Sequence, residues 1–438
     1  MKKEKIINFI NLISNNFELD YVSKENYNNL KKIIESFPMY KFKNFNKIIS
    51  KSSDLIKIML QNYKSFNTNF LKQIKVEKTN YNLIRKELNF FPSFNDGKAT
   101  EIKNKIYEIE KKYQYLLIID NIKINLYFYS CNEDNSLFIN LARIIYLFIK
   151  TFGNNNLDSN KIFDNYNIRL LLIDFPRKLD SRRCNSENSF KNLSEIGYFN
   201  NSSGVHIKSE KELVVSRKSG LTGLLIHELI HMLGLDFCFN IKNNNQINIE
   251  NWTLEWIKNN NIKKYNHNIR SFIESICNTN SSYFVSIYNA IHTCSLIKND
   301  KKIIKFFKYY FYIESIYCFI NGVKLLNYFN FNSFDSFFNT TNQKTFYQNS
   351  LVFEYIILRM ILIDNYYSML LKPMINLKFN ELTTNEINYN FQKNLNMKML
   401  NKVKKKSIKY LFDNISNNIN KTEGLFIEYF PLDLLKFL

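Results

Sequence analysis

The stretch LLIHELIHMLG, residues 224–234, predicts a short buried helix that carries the most informative side chains of the chain. Apolar residues surround His227 and His231, which stand four positions apart. On a helix both imidazoles therefore project from one face, close enough to hold one ion. The alternative is a core helix whose histidines are satisfied by hydrogen bonds. Burying two imidazoles and the Glu228 carboxylate without partners is costly, which favours a metal site.

The ends of this helix and the segments before it predict an α+β fold. Gly234 is expected to be the C-cap, and Ser219 and Thr222 offer N-cap oxygens. Upstream, periodicity predicts a mixed sheet with one long helix. In chain order the expected elements are two β-rich stretches in 115–130 around Asp120–Asn121, a helix at 137–152, a buried strand at 168–174, a polar loop at 178–203, an edge strand at 204–207 and a strand at 212–216.

Zinc in a catalytic site needs a third protein ligand and leaves the fourth place to water. The nearer candidate is Asp236, which follows the Gly234 turn. The farther is Glu274, because apolar residues recur at helical spacing in 269–291 and place Glu274 on the crowded side of a helix. We favour Glu274 as the ligand and keep Asp236 as the alternative. Asn278, one turn after Glu274, is expected to accept a hydrogen bond from a ligand imidazole.

Two cysteines also lie near the expected site. Cys238 and Cys277 are ligand candidates if Glu274 is not one, although a small buried hydrophobic side chain is the favoured interpretation of each. With Zn²⁺ bound, Glu228 would take a proton from the metal-bound water and pass it to the leaving amine. The oxyanion donor stays open among four side chains. They are His292, Tyr283, Tyr288 and Tyr355.

Glu274-Ser-Ile-Cys-Asn278 is similar to the gluzincin pattern Glu-x-x-x-Asp, with Asn in place of Asp. The segment 202–237, SSGVHIKSEKELVVSRKSGLTGLLIHELIHMLGLDF, resembles zincin-like proteins of large nucleocytoplasmic DNA viruses, mimivirus-like ones included. The stretch 349–363 resembles a downstream helix of that family. The resemblance implies a metallopeptidase on a zincin-like catalytic unit, with matched positions at His227, Glu228, His231 and Asp236. It implies no substrate beyond protein or peptide.

Length and composition predict three regions. The 438 residues are 45% hydrophobic, enough for a large core. Residues 1–110 are expected to form an N-terminal helical region, 111–295 the catalytic domain and 296–438 a C-terminal helical region. The net charge of +21 predicts at most a weak attraction to nucleic acid or acidic surfaces, since a solvated basic face is the simpler interpretation. The densest basic segment is 398–409.

The sequence predicts a protein of the cytoplasm, in a host cell or a virion if the source is viral, and not a secreted one. No apolar run reaches membrane-spanning length, and the six cysteines show no CxxC spacing. The sequence leaves two alternative functions. The first is a zinc metalloendopeptidase. The second is a catalytically inert structural or interaction protein on a zincin scaffold, such as a basic virion component.

Overall fold

The structure is a computed structural model. It describes residues 2–19, 28, 30–32, 34–35, 40–42, 44–88, 100–153, 163–173, 204–218, 220–236, 262–264, 272–329, 331, 346–348, 353–372 and 434–437. The predicted loop at 178–203, Ser219, Cys238 and the basic segment 398–409 lie outside the described residues.

A six-stranded mixed sheet organises the fold, in the order β2-β3-β4-β5-β7-β6. Strands β4, β5 and β7 run parallel, and the remaining pairs are antiparallel. This order leaves β6 at one edge. The predicted strands are confirmed within a few residues. The six strands are β2 (Leu71–Lys78), β3 (Lys111–Ile119), β4 (Ile122–Ser130), β5 (Tyr166–Leu171), β6 (Gly204–Ile207) and β7 (Glu212–Val215).

Helices supply the rest of the described architecture, so the α+β class is confirmed. Their bounds are α1 (Lys3–Asn16), α2 (Phe45–Lys51), α3 (Ser53–Ser65), α4 (Tyr81–Glu87), α5 (Thr100–Tyr107), α6 (Asn135–Phe152), α7 (Leu221–Leu233), α8 (Phe272–Leu296), α9 (Ile303–Tyr328) and α10 (Arg359–Asp364), the last between π-helical turns at Phe353–Leu358 and Tyr367–Leu371. Two short strand pairs are β1 (Phe17–Leu19) with β10 (Leu434–Phe437), and β8 (Ile262–Lys264) with β9 (Phe346–Gln348). Among the described helices, none is both long and apolar enough to cross a membrane.

The two faces of the sheet bury different helices. Because side chains alternate along a strand, Ile168 and Leu213 face the large core that includes α6, α7 and α8. Leu171 and Val214 face the opposite side, where they pack in a smaller cluster with α4 and α5. Helix α7 therefore lies between the sheet and α8, with all of its apolar residues buried except the partly buried Leu233.

The long crossover helix α6 explains why β4 and β5 are parallel. A parallel connection needs a crossover of a dozen or more residues, and α6 supplies 18. Asp134 caps its start by accepting the backbone N–H of Leu137 at 3.1 Å. Its buried apolar side chains join the sheet to the helical layer, each contributing about 1.5–3 kcal/mol of stabilisation.

The first 110 residues contain strands as well as helices. Strand β2 pairs with β3 along the whole sheet edge, so the sheet continues across residue 110. The sequence LKQIKVEK gave no strand signal because β2 is exposed on both faces over most of its length. Helix α1 packs on α9, where the Phe9 and Phe306 ring centroids lie 5.1 Å apart. The three-region division stays a prediction.

Candidate metal centre

Two glycines with left-handed backbones delimit the helix that carries the histidines. Gly220 (φ 66°) is the N-cap and Gly234 (φ 68°) the C-cap, so the prediction for Gly234 is confirmed. Thr222 is wrong as an N-cap, because it lies inside α7 and Gly220 is the N-cap residue. The Leu235 N–H donates to the Ile230 carbonyl at 3.0 Å, which closes the terminal turn. This turn folds Asp236 back toward His231.

Three side-chain atoms converge between α7 and α8. His227 Nε2 lies 3.1 Å from His231 Nε2, and Glu274 Oε2 lies 3.6 Å from the first and 3.3 Å from the second. Ligand atoms about 2.0–2.1 Å from a tetrahedral zinc are about 3.3 Å from each other. The three observed separations therefore match one face of a zinc tetrahedron.

The Glu274 carboxylate is buried with an unsatisfied oxygen. Only 5% of the residue is exposed, and Oε2 has no hydrogen-bond partner among the described residues. A buried polar atom without a partner is costly. Oε2 is directed toward the two imidazoles, so a cation held with them would satisfy it. The residues present fit a zinc ion on this ground.

Asp236 orients His231 from the other side of the ring. Its Oδ2 contacts His231 Nδ1, and the carboxylate is fully buried. This contact holds a proton on Nδ1, so Nε2, which faces Glu274, is the nitrogen available to a metal ion. Asp236 therefore occupies the position of a partner to a ligand imidazole, and the structure does not bring it to the Nε2 side.

Cys277 and Ser281 hold the corresponding place beside His227. The Cys277 Sγ lies 3.5 Å from His227 Nδ1 and 3.8 Å from Nε2, and the Ser281 Oγ lies 3.5 Å from Nδ1. His227, His231 and Cys277 form a buried group that could bind a metal ion. The sulfur is nearer to Nδ1, which places it beside the imidazole ring rather than in front of Nε2.

Asn278 does not contact a histidine in the described residues. Its Nδ2 donates to the Glu274 carbonyl at 2.7 Å within α8. At about 100° per residue, Cys277 and Ser281 fall on the other side of Glu274 from Asn278. The sequence suggested Cys277 only as a replacement ligand and missed Ser281, although the Glu274, Cys277, Ser281 spacing marks one helix face.

Glu228 lies between the histidines and the sheet edge. Its Oε1 is 4.0 Å from His227 Nε2, and 4% of the residue is exposed. The carboxylate packs directly on Gly204 of β6, where an added Cβ would lie 2.3 Å from Oε1. The absence of a side chain at 204 thus leaves room for Glu228 beside the candidate metal centre.

The electrostatics of the site favour a cation. Burial alone would lower the pKa of His227, but nearby Cys277 and Glu274 outweigh it and raise this pKa to about 10. The pKa of His231 is raised by Cys277, Glu274 and Asp236, again against the effect of burial. Burial would raise the pKa of Glu274, yet the two imidazoles hold it well below its usual range. A positive charge among these groups is therefore stabilised.

Only one of the four predicted oxyanion donors borders the site. The Tyr355 ring is perpendicular to the His227 ring, with centroids 6.4 Å apart. At 1.5 Å per residue along α8, Tyr283, Tyr288 and His292 lie roughly 14, 21 and 27 Å beyond Glu274. The Tyr283 hydroxyl instead donates to Ser52, and His292 bonds the Tyr63 hydroxyl and stacks on Tyr288.

The chain matches no protein-family model, no curated protein and no solved structure. What the site can do is therefore argued from its own side chains.

Proposed function

We propose that the chain is a zinc-dependent metallopeptidase that hydrolyses peptide bonds. The observation that carries the proposal is the convergence of His227 Nε2, His231 Nε2 and Glu274 Oε2, with the Glu228 carboxylate beside them. A structural site has no need of a buried general base, which favours catalysis. The resemblance of residues 202–237 to viral zincin-like proteins is part of this proposal.

His227, His231 and Glu274 would hold the metal, since two imidazole nitrogens and one carboxylate oxygen are an established ligand set for catalytic zinc. When bound, zinc lowers the pKa of a water molecule and polarises the substrate carbonyl. Glu228 accepts the proton from the attacking water and delivers it to the leaving amine, a role worth about 10²–10⁴-fold in rate. Tyr355 is the remaining candidate for the oxyanion donor.

The sheet edge offers a place for an extended peptide. Strand β6 pairs with β7 on one side, and no described strand pairs with its other side. An extended peptide can add to such an edge through main-chain hydrogen bonds. Gly204 brings this edge into contact with Glu228, so a scissile bond aligned along β6 would lie close to the proposed base.

The alternative is a catalytically inert structural or interaction protein, for instance a basic virion component. One observation favours it. A structural zinc site is closed by four protein ligands, and the Cys277 sulfur lies 3.8 Å from His227 Nε2. A change of the Cys277 rotamer would bring a fourth ligand to the ion and exclude water.

Metal analysis and peptide cleavage by the full chain test the proposal. Purified wild type should contain one zinc, His231→Ala and Glu274→Ala should lose most of it, and Glu228→Gln should keep it while losing cleavage of a peptide library. Full zinc in Glu274→Ala would remove Glu274 from the ligand set. Cleavage by Glu228→Gln at the wild-type rate would exclude Glu228 as the base.

A Cys277→Ser variant separates the two functions. In the open catalytic site it retains zinc and cleavage, because the sulfur is not a ligand. In the closed site it loses zinc affinity. Zinc-loaded wild type that cleaves nothing across a broad library, together with zinc loss in Cys277→Ser, would favour the inert protein.

A further inference from the structure

A pocket outside the metal centre lies between the amino-terminal ends of α1 and α9. Its volume is about 640 Å³, within the range of roughly 300–1,000 Å³ that is typical of small-molecule sites. Lys2 and Lys5 line it from the start of α1, and Lys305 and Lys308 line it from the start of α9. These segments are far apart in sequence, so the fold gathers four lysines that no local basic run contains.

No described carboxylate pairs with the four ammonium groups. Of the residues that the structure describes, no Asp or Glu lines the pocket, and none of the four lysines forms a salt bridge. Asp300, just before α9, is paired with Lys64 instead. Four like charges around one recess repel each other, so an anion bound there would relieve the repulsion.

The helix ends add charge of the same sign. The first turn of a helix carries a partial positive charge, and Lys5 and Lys305 both lie in the first turn of their helices. The first turn of α1 also holds the exposed Glu4, which does not line the pocket. The pocket therefore combines four full charges with the amino-terminal ends of two helices. A phosphate group is the anion that such an arrangement suits best.

The rest of the pocket lining is mostly apolar. Ile49 of α2, Ile304 and the Tyr309 ring complete the lining. The Lys305 Nζ lies 5.9 Å from the Tyr309 ring centroid, so charge and aromatic surface are adjacent. A recess of this size suits a small molecule bound partly in solvent, whereas a nucleic-acid duplex requires an extended basic surface. The ligand should carry an apolar or aromatic part besides its phosphates.

We propose that this pocket binds a small organic polyphosphate of the nucleoside triphosphate class. The phosphates pair with the four lysines, and the nucleoside packs on Ile49, Ile304 and Tyr309. The proposal does not depend on the metal centre or on peptidase activity.

Calorimetric titration of the full chain tests it, with ATP, adenosine and inorganic tripolyphosphate as ligands in magnesium-free buffer. ATP should bind more tightly than either part alone, and its affinity should fall as salt is raised. Equal affinity for ATP and tripolyphosphate would remove the nucleoside from the proposal. Absence of ATP binding would overturn it.

Paired variants locate the binding. Lys5→Gln with Lys308→Gln should weaken ATP binding about tenfold or more, since two charge-assisted contacts are lost. Lys72→Gln with Lys86→Gln makes the same change of net charge at exposed lysines of β2 and α4. This control variant should change the affinity for ATP less than twofold. Equal losses in both variants would show general charge attraction and overturn the site. The small-molecule assignment would be overturned if the chain bound duplex DNA or phosphatidylserine vesicles through Lys5 and Lys308 but did not bind ATP.

Discussion

At the scale of single residues, Gly204 controls the space available to the proposed base. Replacement by Ala places a Cβ 2.3 Å from Glu228 Oε1, a distance that no real contact tolerates, so the carboxylate must move. We expect Gly204→Ala to lower kcat/KM for peptide cleavage about tenfold or more with zinc content unchanged. Val205→Ala, on the opposite face of β6, is the control. Wild-type kcat/KM in Gly204→Ala would contradict the placement of Glu228.

Asp236 gives a second prediction at this scale. It contacts His231 Nδ1, so its removal loosens the imidazole without removing a ligand. Asp236→Ala should weaken zinc affinity about 10–100-fold, measured by competition with a chelator, and Asp236→Asn should lose less because its amide oxygen still accepts the Nδ1 proton. Complete loss of zinc in Asp236→Asn would instead indicate that Asp236 is a ligand.

The sequence predicted that Glu274 would join His227 and His231, and failed on contacts that depend on how the helices pack. Helical geometry alone brings His227 and His231 together, and the apolar periodicity of 269–291 turns Glu274 inward. The contacts of Asn278 depend on the rotation of α8 against α7, which no local pattern specifies. The three misplaced oxyanion donors fail for the same reason, since they face other helices along α8.

At the scale of elements, the Gly234 turn links the stability of α7 to its chemistry. The φ of 68° suits glycine, tolerates Asn and strains other residues. Gly234→Ala should lower the free energy of unfolding by about 1 kcal/mol and weaken zinc affinity, because the turn positions Asp236. Gly234→Asn should lower the free energy of unfolding and the zinc affinity by smaller amounts than Gly234→Ala. Thermal unfolding and chelator competition measure the two effects, and a zinc affinity equal in all three proteins would refute the link.

Strand prediction succeeded for the partly buried edge strand β6 and for strands that are buried on at least one face. Strands β3, β4, β5 and β7 carry apolar residues on alternating or continuous positions, which the sequence shows directly. Strand β2 is mostly exposed, so its place is set by pairing with β3 rather than by burial. Edge strands of this type leave little trace in hydrophobic periodicity.

At the scale of the whole molecule, buried His292 predicts how stability depends on pH. Burial, with the nearby Arg143 charge, lowers its pKa from 6.5 to about 4. Below pH 6.5 the unfolded chain therefore binds a proton that the folded chain refuses until about pH 4. The contribution of His292 is fully present above pH 6.5 and is lost as the pH falls through this window, by about 3 kcal/mol in total.

His292→Gln isolates this contribution. The variant should be less stable than wild type at pH 7, and the difference should shrink by about 2–3 kcal/mol at pH 4.5, because the variant has no imidazole to protonate. Urea denaturation of chelator-treated proteins measures it. Burial raises the pKa of Glu314 to about 8, against the pull of Arg359, and acts in the opposite sense. The contribution of Glu314 is the same in the variant and in wild type, so it cancels when their stabilities are compared. A stability difference independent of pH would contradict the assignment.

The packing of α1 on α9 has a consequence for synthesis of the chain. The Phe9 ring of α1 packs against the rings of Phe306, Tyr309 and Tyr310 of α9. At about 5–20 residues per second, the ribosome completes this contact surface roughly 15–60 s after Phe9 is made. During that interval the apolar face of α1 has no docking site on α9. Nascent chains should therefore engage chaperones until residue 310 has left the exit tunnel, and fold slowly because their contacts are distant in sequence.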